Sequence, residues 1–100
     1  MNMTVAGFNW DEHNSAKCQK HGLTLIEIES VFDHVAIRPD IAHSQKEDRF
    51  MGIGRASNNR YVFVIFTLRT INDEQYIRPI SARYMHNKEV KSYEEENSIF

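Results

Sequence analysis

Tyr61–Leu68 reads YVFVIFTL, a run of aromatic and β-branched residues that is apolar on both faces. Such residues fit a pleated, buried surface, so this stretch is expected to be the central strand of a sheet. Ser57-Asn58-Asn59 before it and Asn72-Asp73-Glu74 after it carry turn chemistry. The flanking stretches Arg49–Arg55 and Tyr76–Arg83 read as its neighbours. Consecutive strands joined by short polar turns make an antiparallel meander. Gly52 and Gly54 within the first of these strands predict either a close backbone approach or a bulge.

The first third of the chain has a different period. Val5–Phe8 reads as a short strand broken by Asn9, whose side chain is placed to cap a helix. Asp11 and Glu12 then fall in the first turn, where carboxylates oppose the positive dipole end, and Gly22 ends the helix. Thr24-Leu25-Ile26-Glu27 has the spacing of a capping box, so a second helix begins there. Leu25, Ile28, Val31 and Phe32 form its buried stripe, and Asp33 and His34 close it. Val35–Arg38 is a short strand stopped by Pro39-Asp40, and Ile41–Asp48, which includes His43-Ser44, is a polar loop. A polar helix over 87–95 finishes the chain. The layout is α+β: two N-terminal helices packed on a four- or five-stranded antiparallel sheet, with a C-terminal helix, in a single domain spanning residues 1–100.

One hundred residues support one modest core. No segment approaches the roughly 18 consecutive apolar residues of a membrane helix, and the N-terminus lacks the basic and apolar regions of a secretory signal. The lone Cys18 cannot form an internal disulfide, which fits a reducing compartment. A cytoplasmic location is expected. Charge is unevenly placed: residues 1–48 hold four basic and eight acidic side chains, and residues 49–93 hold eight and three. Glu94, Glu95 and Glu96 make the end acidic, in a tail through Phe100 that either frays or docks on a partner. Phosphate chains respond to local potential, so any RNA contact belongs to the basic half, although solvated arginines on exposed strand faces have the same composition.

Two blocks carry the most specific signal, Trp10–Gly22 (WDEHNSAKCQKHG) and Ile80–Met85 (ISARYM). Between and around them lie Phe8-Asn9-Trp10-Asp11-Glu12, Lys20-His21-Gly22-Leu23, Val31-Phe32-Asp33, Glu47-Asp48-Arg49-Phe50, Ile53-Gly54-Arg55, Phe66-Thr67, Ile77-Arg78 and Ser81-Ala82-Arg83, then Glu89 and Tyr93. In this order and spacing the series resembles the BrnT family of bacterial toxins. The resemblance implies a fold and activity similar to the RelE-type ribonucleases, with RNA as substrate. It also implies a partner antitoxin carrying a ribbon-helix-helix domain, through which oligomers can form. Pro79 departs from the family pattern, since a proline there predicts an edge or a bulge. His86 stands where a threonine would cap the last helix, and Tyr84 where an acidic residue is common.

Cleaving RNA without a metal or other cofactor needs a base for the 2′-hydroxyl, cations for charge developing on phosphorus, and an acid for the leaving oxygen. Histidine suits the proton transfers and arginine the phosphorane oxygens. His21, between Lys20 and Gly22, is the acid/base candidate; the structural alternative is a cation at a helix C-terminus. Arg83 follows the small residues Ser81 and Ala82, leaving room for a phosphate, or else pairs with a carboxylate such as Asp11 or Glu12. Simple alternation puts Ile77, Pro79, Ser81 and Arg83 on one face. Arg55 is the third catalytic candidate. Arg49, Lys17, Lys20 and Tyr84 are RNA-binding candidates, each with a plainer role as a surface ion pair, solvated face or core cover. Trp10 reads as core. Cys18-x-x-His21 has metal-compatible spacing but no second ligand pair, so no metal site is expected. The sequence leaves two readings: a ribonuclease toxin held by an antitoxin, or a non-catalytic nucleic-acid- or protein-binding module on the same fold.

Overall fold

The computed structural model describes residues 4–43 and 46–97, so Ser44 and the tail end Ser98–Phe100 lie outside the described residues. Within them the order is β1 (Gly7–Phe8), α1 (Glu12–Cys18), α2 (Leu25–Val31), β2 (Ala36–Pro39), β3 (Phe50–Arg55), β4 (Tyr61–Ile71), β5 (Glu74–Tyr84) and α3 (Asn87–Asn97). Single 3-10 turns cover Phe32–His34 and Ile41–His43. The fold is α+β, with strand order β1-β5-β4-β3-β2. β4 is central, as its two-sided apolar pattern requires. β2 through β5 form the expected antiparallel meander. The sheet as a whole is mixed rather than antiparallel, because β1 runs parallel to β5, with Phe8 opposite Ile77. A meander argument covers only strands consecutive in sequence, and β1 reaches its partner from the other end of the chain.

Local chemistry accounts for the helices. Thr24 accepts from the Glu27 amide while Glu27 accepts from the Thr24 amide, the expected capping box. For α1 the cap is Asp11 rather than Asn9, with Asn14 completing a second box. Asn9 instead accepts from Arg78 at 2.8 Å. α1 also ends early, at Cys18, and the chain turns on to Gly22, whose φ of +92° suits glycine.

One face of the sheet packs on α1 and α2. Ile28 and Val31 meet Val62, Val64, Phe66 and Ile77 in the core, joined by Cys18 and Leu23. Phe8, Phe32, Phe66 and Phe50 form a chain of ring contacts with centroids 5.1 to 5.6 Å apart. Trp10 packs against this core as expected, and its indole N–H donates to Glu29 at 2.9 Å. The glycines of β3 serve close approach, not a bulge. A Cβ on Gly54 would lie 2.7 Å from the Val31 carbonyl oxygen, and one on Gly52 would lie 3.1 Å from a Val35 methyl. β4 and β5 run beyond the core as an arm closed by Asn72-Asp73. Their φ values of 52° and 67° make the two-residue turn that matches strand twist.

The irregularity that Pro79 foreshadows is a bulge in β5. Ile65 pairs with Ser81 and Phe66 with Pro79, leaving Ile80 as the extra residue. The alternation of faces is thereby reset. Ile77, Pro79, Ala82 and Tyr84 point toward the helices, whereas Ser81 and Arg83 pair with Ile65 and Phe63 on the opposite face. The face shared by Pro79 and Arg83 in the unbroken pattern is therefore corrected: the extra residue turns the strand by one position. Asn14 holds the bulge from α1. Its buried side-chain amide donates to the Pro79 carbonyl at 2.9 Å and to the Asn9 carbonyl at 3.1 Å.

Candidate functional site

The face opposite α1 and α2 carries Arg38 of β2, Met51, Ile53 and Arg55 of β3, Tyr61, Phe63 and Ile65 of β4, and Ser81 and Arg83 of β5. α3 crosses this face. A depression of about 290 Å³ opens at the β5 side, lined by His21, Met51, Phe63, Ile65, Ser81, Arg83 and Glu89. His21 is exposed in the turn after α1. Two of the three catalytic candidates, His21 and Arg83, thus share one concavity.

Arg83 has a carboxylate partner, but it is neither Asp11 nor Glu12. Glu89 accepts from both terminal nitrogens of the guanidinium, at 2.8 and 2.9 Å. Asp11 is committed to Arg78 at 2.7 Å. The Arg83 guanidinium also lies 4.7 Å from the centroid of Phe63. Glu89 accepts from the His86 amide at 2.8 Å, so it retains half of the capping box that His86 cannot complete as threonine would. Hydrogen bonds from Arg83 and then from the His86 amide hold the Glu89 carboxyl at about 2, far below its ordinary value. A carboxylate that acidic stays ionised at neutral pH and is a poor proton acceptor, so its work is electrostatic. Glu89 is the main site residue that residue-by-residue reasoning missed. The signal was available in its position three residues past His86, at the third place of a helix.

The remaining candidates are spread around this centre. Arg55, at the end of β3, donates to Asn59 at 2.9 Å, stacks on Tyr61 at 4.6 Å and pairs with Glu94 at 3.7 Å. It is on the same face as Arg83 but does not line the depression. Arg49 precedes β3 at its far end and pairs with Glu47 at 3.6 Å. Lys17 lies on α1 and Lys20 in the turn beyond it, both exposed, so they do not share a helix face. Tyr84 is on the helix-bearing face, where its hydroxyl accepts from Asn58 at 2.8 Å and Arg60 stacks 3.6 Å over its ring. Cys18 is fully buried, and burial pushes its thiol up to about 11, so it remains a neutral core side chain. His43 falls on the 3-10 turn after β2.

The α+β fold thus brings an imidazole, His21, and a guanidinium, Arg83, to one cleft of the sheet face that also carries Arg38 and Arg55. Residues 10–89 match the family described as the ribonuclease toxin, BrnT, of type II toxin–antitoxin systems. The chain therefore belongs to that family of ribonuclease toxins, whose members act with an antitoxin partner. No individual curated protein matches the chain. No helix among the described residues is long and apolar enough to cross a membrane.

Proposed function

We propose that this chain is a metal-independent endoribonuclease of RelE-like fold, acting in the cytoplasm as a single domain and neutralised by a ribbon-helix-helix antitoxin. The observation that carries the reading is the convergence of His21 and Arg83 on one depression. In the proposed reaction the RNA 2′-hydroxyl attacks the adjacent phosphorus and the 5′-oxygen leaves. His21 takes the 2′-hydroxyl proton as the bond to phosphorus forms, and water protonates the 5′-oxygen as its bond breaks to leave a 2′,3′-cyclic phosphate. Arg83, with Arg55 nearby, takes charge developing on the phosphoryl oxygens. Imidazole and guanidinium together supply proton transfer and charge stabilisation, so the chemistry calls for no metal. Lys17, Lys20 and Arg49 attract the flanking phosphates, whereas Tyr84, on the other face with Arg60 over its ring, is left out of the site.

One observation favours the second reading, a binding module that does not cut. Arg83 presents both terminal nitrogens to Glu89 rather than to open solvent. The test separating them is induction in bacteria of wild type, Arg83→Ala and His21→Ala, with RNA integrity and growth followed and folding checked by thermal melting. The nuclease reading expects growth arrest and RNA cleavage, relieved at least tenfold by either substitution, about 1.4 kcal/mol of lost transition-state stabilisation. A folded wild type that leaves RNA intact while still binding it selects the module.

A further inference from the structure

Three arginines stand on the sheet face under α3, one on each of three strands, and each has a glutamate of α3 as partner. Arg83 of β5 pairs with Glu89 at 2.8 Å, Arg55 of β3 with Glu94 at 3.7 Å, and Arg38 of β2 with Glu96 at 3.9 Å. The match follows from dimensions. Three strand spacings from β5 to β2 measure about 14 Å, and Glu89 to Glu96 rises about 10 Å along a helix, within reach of two long side chains. Aromatic rings lie beneath two of the cations, Tyr61 under Arg55 and Phe63 under Arg83. Arginines interleaved with aromatic rings are the chemistry of a single-stranded nucleic-acid surface, where guanidinium groups hold phosphates and rings stack on bases.

α3 itself is thinly seated. None of its side chains from Asn87 to Glu96 is fully buried, and it approaches the sheet less closely than α1 or α2 does. A second opening of about 430 Å³ runs along it, lined by Arg38, Met51, Phe63, Lys88 and Glu96 among others. α3 is held by these ion pairs and by an edge-on contact of Tyr93 with Tyr61, centroids 5.5 Å apart, rather than by a fully buried stripe. The exposed pairs stabilise weakly and are screened by salt.

We infer that Arg38, Arg55 and Arg83, with Tyr61 and Phe63, form one row for single-stranded RNA phosphates and bases, and that α3 covers this row with three carboxylates that RNA must displace. The inference rests on the RNA reading above and adds to it Arg38, the extent of the row and its internal competitor. A guanidinium fork donates to carboxylate and phosphate with the same geometry, as Arg83 does to Glu89, and the looser pairs of Arg55 and Arg38 are places a phosphate can take.

The test measures binding of a labelled single-stranded RNA made non-cleavable by 2′-O-methylation. The variant Glu94→Gln/Glu96→Gln is compared with Glu12→Gln/Glu74→Gln, which makes the same change in net charge away from α3. Relief of two exposed pairs is expected to tighten binding about two- to tenfold over that control. In the α3-neutralised background Arg38→Ala should lower the slope of log affinity against log salt by about one, and RNA should speed amide exchange over 87–97. Neutralised and control variants binding alike, with α3 amides protected by RNA, overturn the cover while Arg83→Ala can still show that the RNA site is real. Absence of RNA binding in every variant overturns the site and the cover together.

Discussion

At the scale of single residues, Glu89 and Asn14 carry consequences that their neighbours do not. Glu89 is held at about 2 against an ordinary value of 4.5, so its pair with Arg83 adds stability at every pH above the ordinary value. That stability is lost as pH falls from about 4.5 toward 2, where the carboxylate is finally protonated. Thermal melts of wild type and Glu89→Gln should therefore differ at pH 7, draw together below about pH 4.5 and converge only near pH 2. Parallel curves throughout would show that Glu89 acts by something other than its charge. Asn14 satisfies the Pro79 carbonyl from inside the core, and Asn14→Ala leaves that acceptor bare. A loss of about 1–3 kcal/mol is expected in urea unfolding.

At the scale of elements, β3 and β5 show what local pattern resolves and what it does not. The Thr24 capping box, the central place of β4 and the turns at 57–59 and 72–74 were legible because each depends on residues within a few positions of one another. Gly52 and Gly54 signalled close packing, and the structure distinguishes them. The atom meeting a Cβ at Gly54 is a backbone oxygen that cannot rotate away, whereas at Gly52 it is a methyl of Val35. Gly54→Ala should cost about 1–3 kcal/mol in chemical denaturation and Gly52→Ala clearly less. The faces of β5 were not legible, since the bulge at Ile80 is pinned by a residue 65 positions away. A similarly long separation, 69 positions from Gly7 to Tyr76, hid β1's parallel pairing. The shift of the α1 cap has a simpler cause: Arg78 binds both good caps, and Asp11 keeps a second oxygen for the Asn14 amide whereas the single side-chain oxygen of Asn9 goes to Arg78.

At the scale of the molecule, the formal charge of −2 conceals a segregated surface. The face under α3 gathers Arg38, Arg55 and Arg83, each opposite a glutamate of that helix. The uneven charge along the chain pointed to the basic half, and His21 with Arg83 was recoverable from the family pattern. The role of α3 over this face was not, because its glutamates read as a solvated tail until the sheet lies beneath them. Engagement of the three arginines by single-stranded RNA predicts a slope of about −2 for log affinity against log salt. Titration of anisotropy over a range of potassium chloride concentrations checks this, and a slope near zero would leave the charges out of recognition.

The extra residue in β5 divides that strand into two stretches with different jobs. Up to Pro79 its inward side chains build the core, and from Ser81 on Ser81 and Arg83 face the cleft while Ala82 continues the core. What position 80 contributes is a half-step of phase, not the chemistry of isoleucine. A library that randomises Ile80 should therefore keep most of its members folded, and deletion of that single codon should remove the bulge while leaving Ser81 opposite Ile65 and Arg83 on the cleft face. Drift at this point of the gene is free in spelling, and this one codon can be lost without exchanging the faces of the strand.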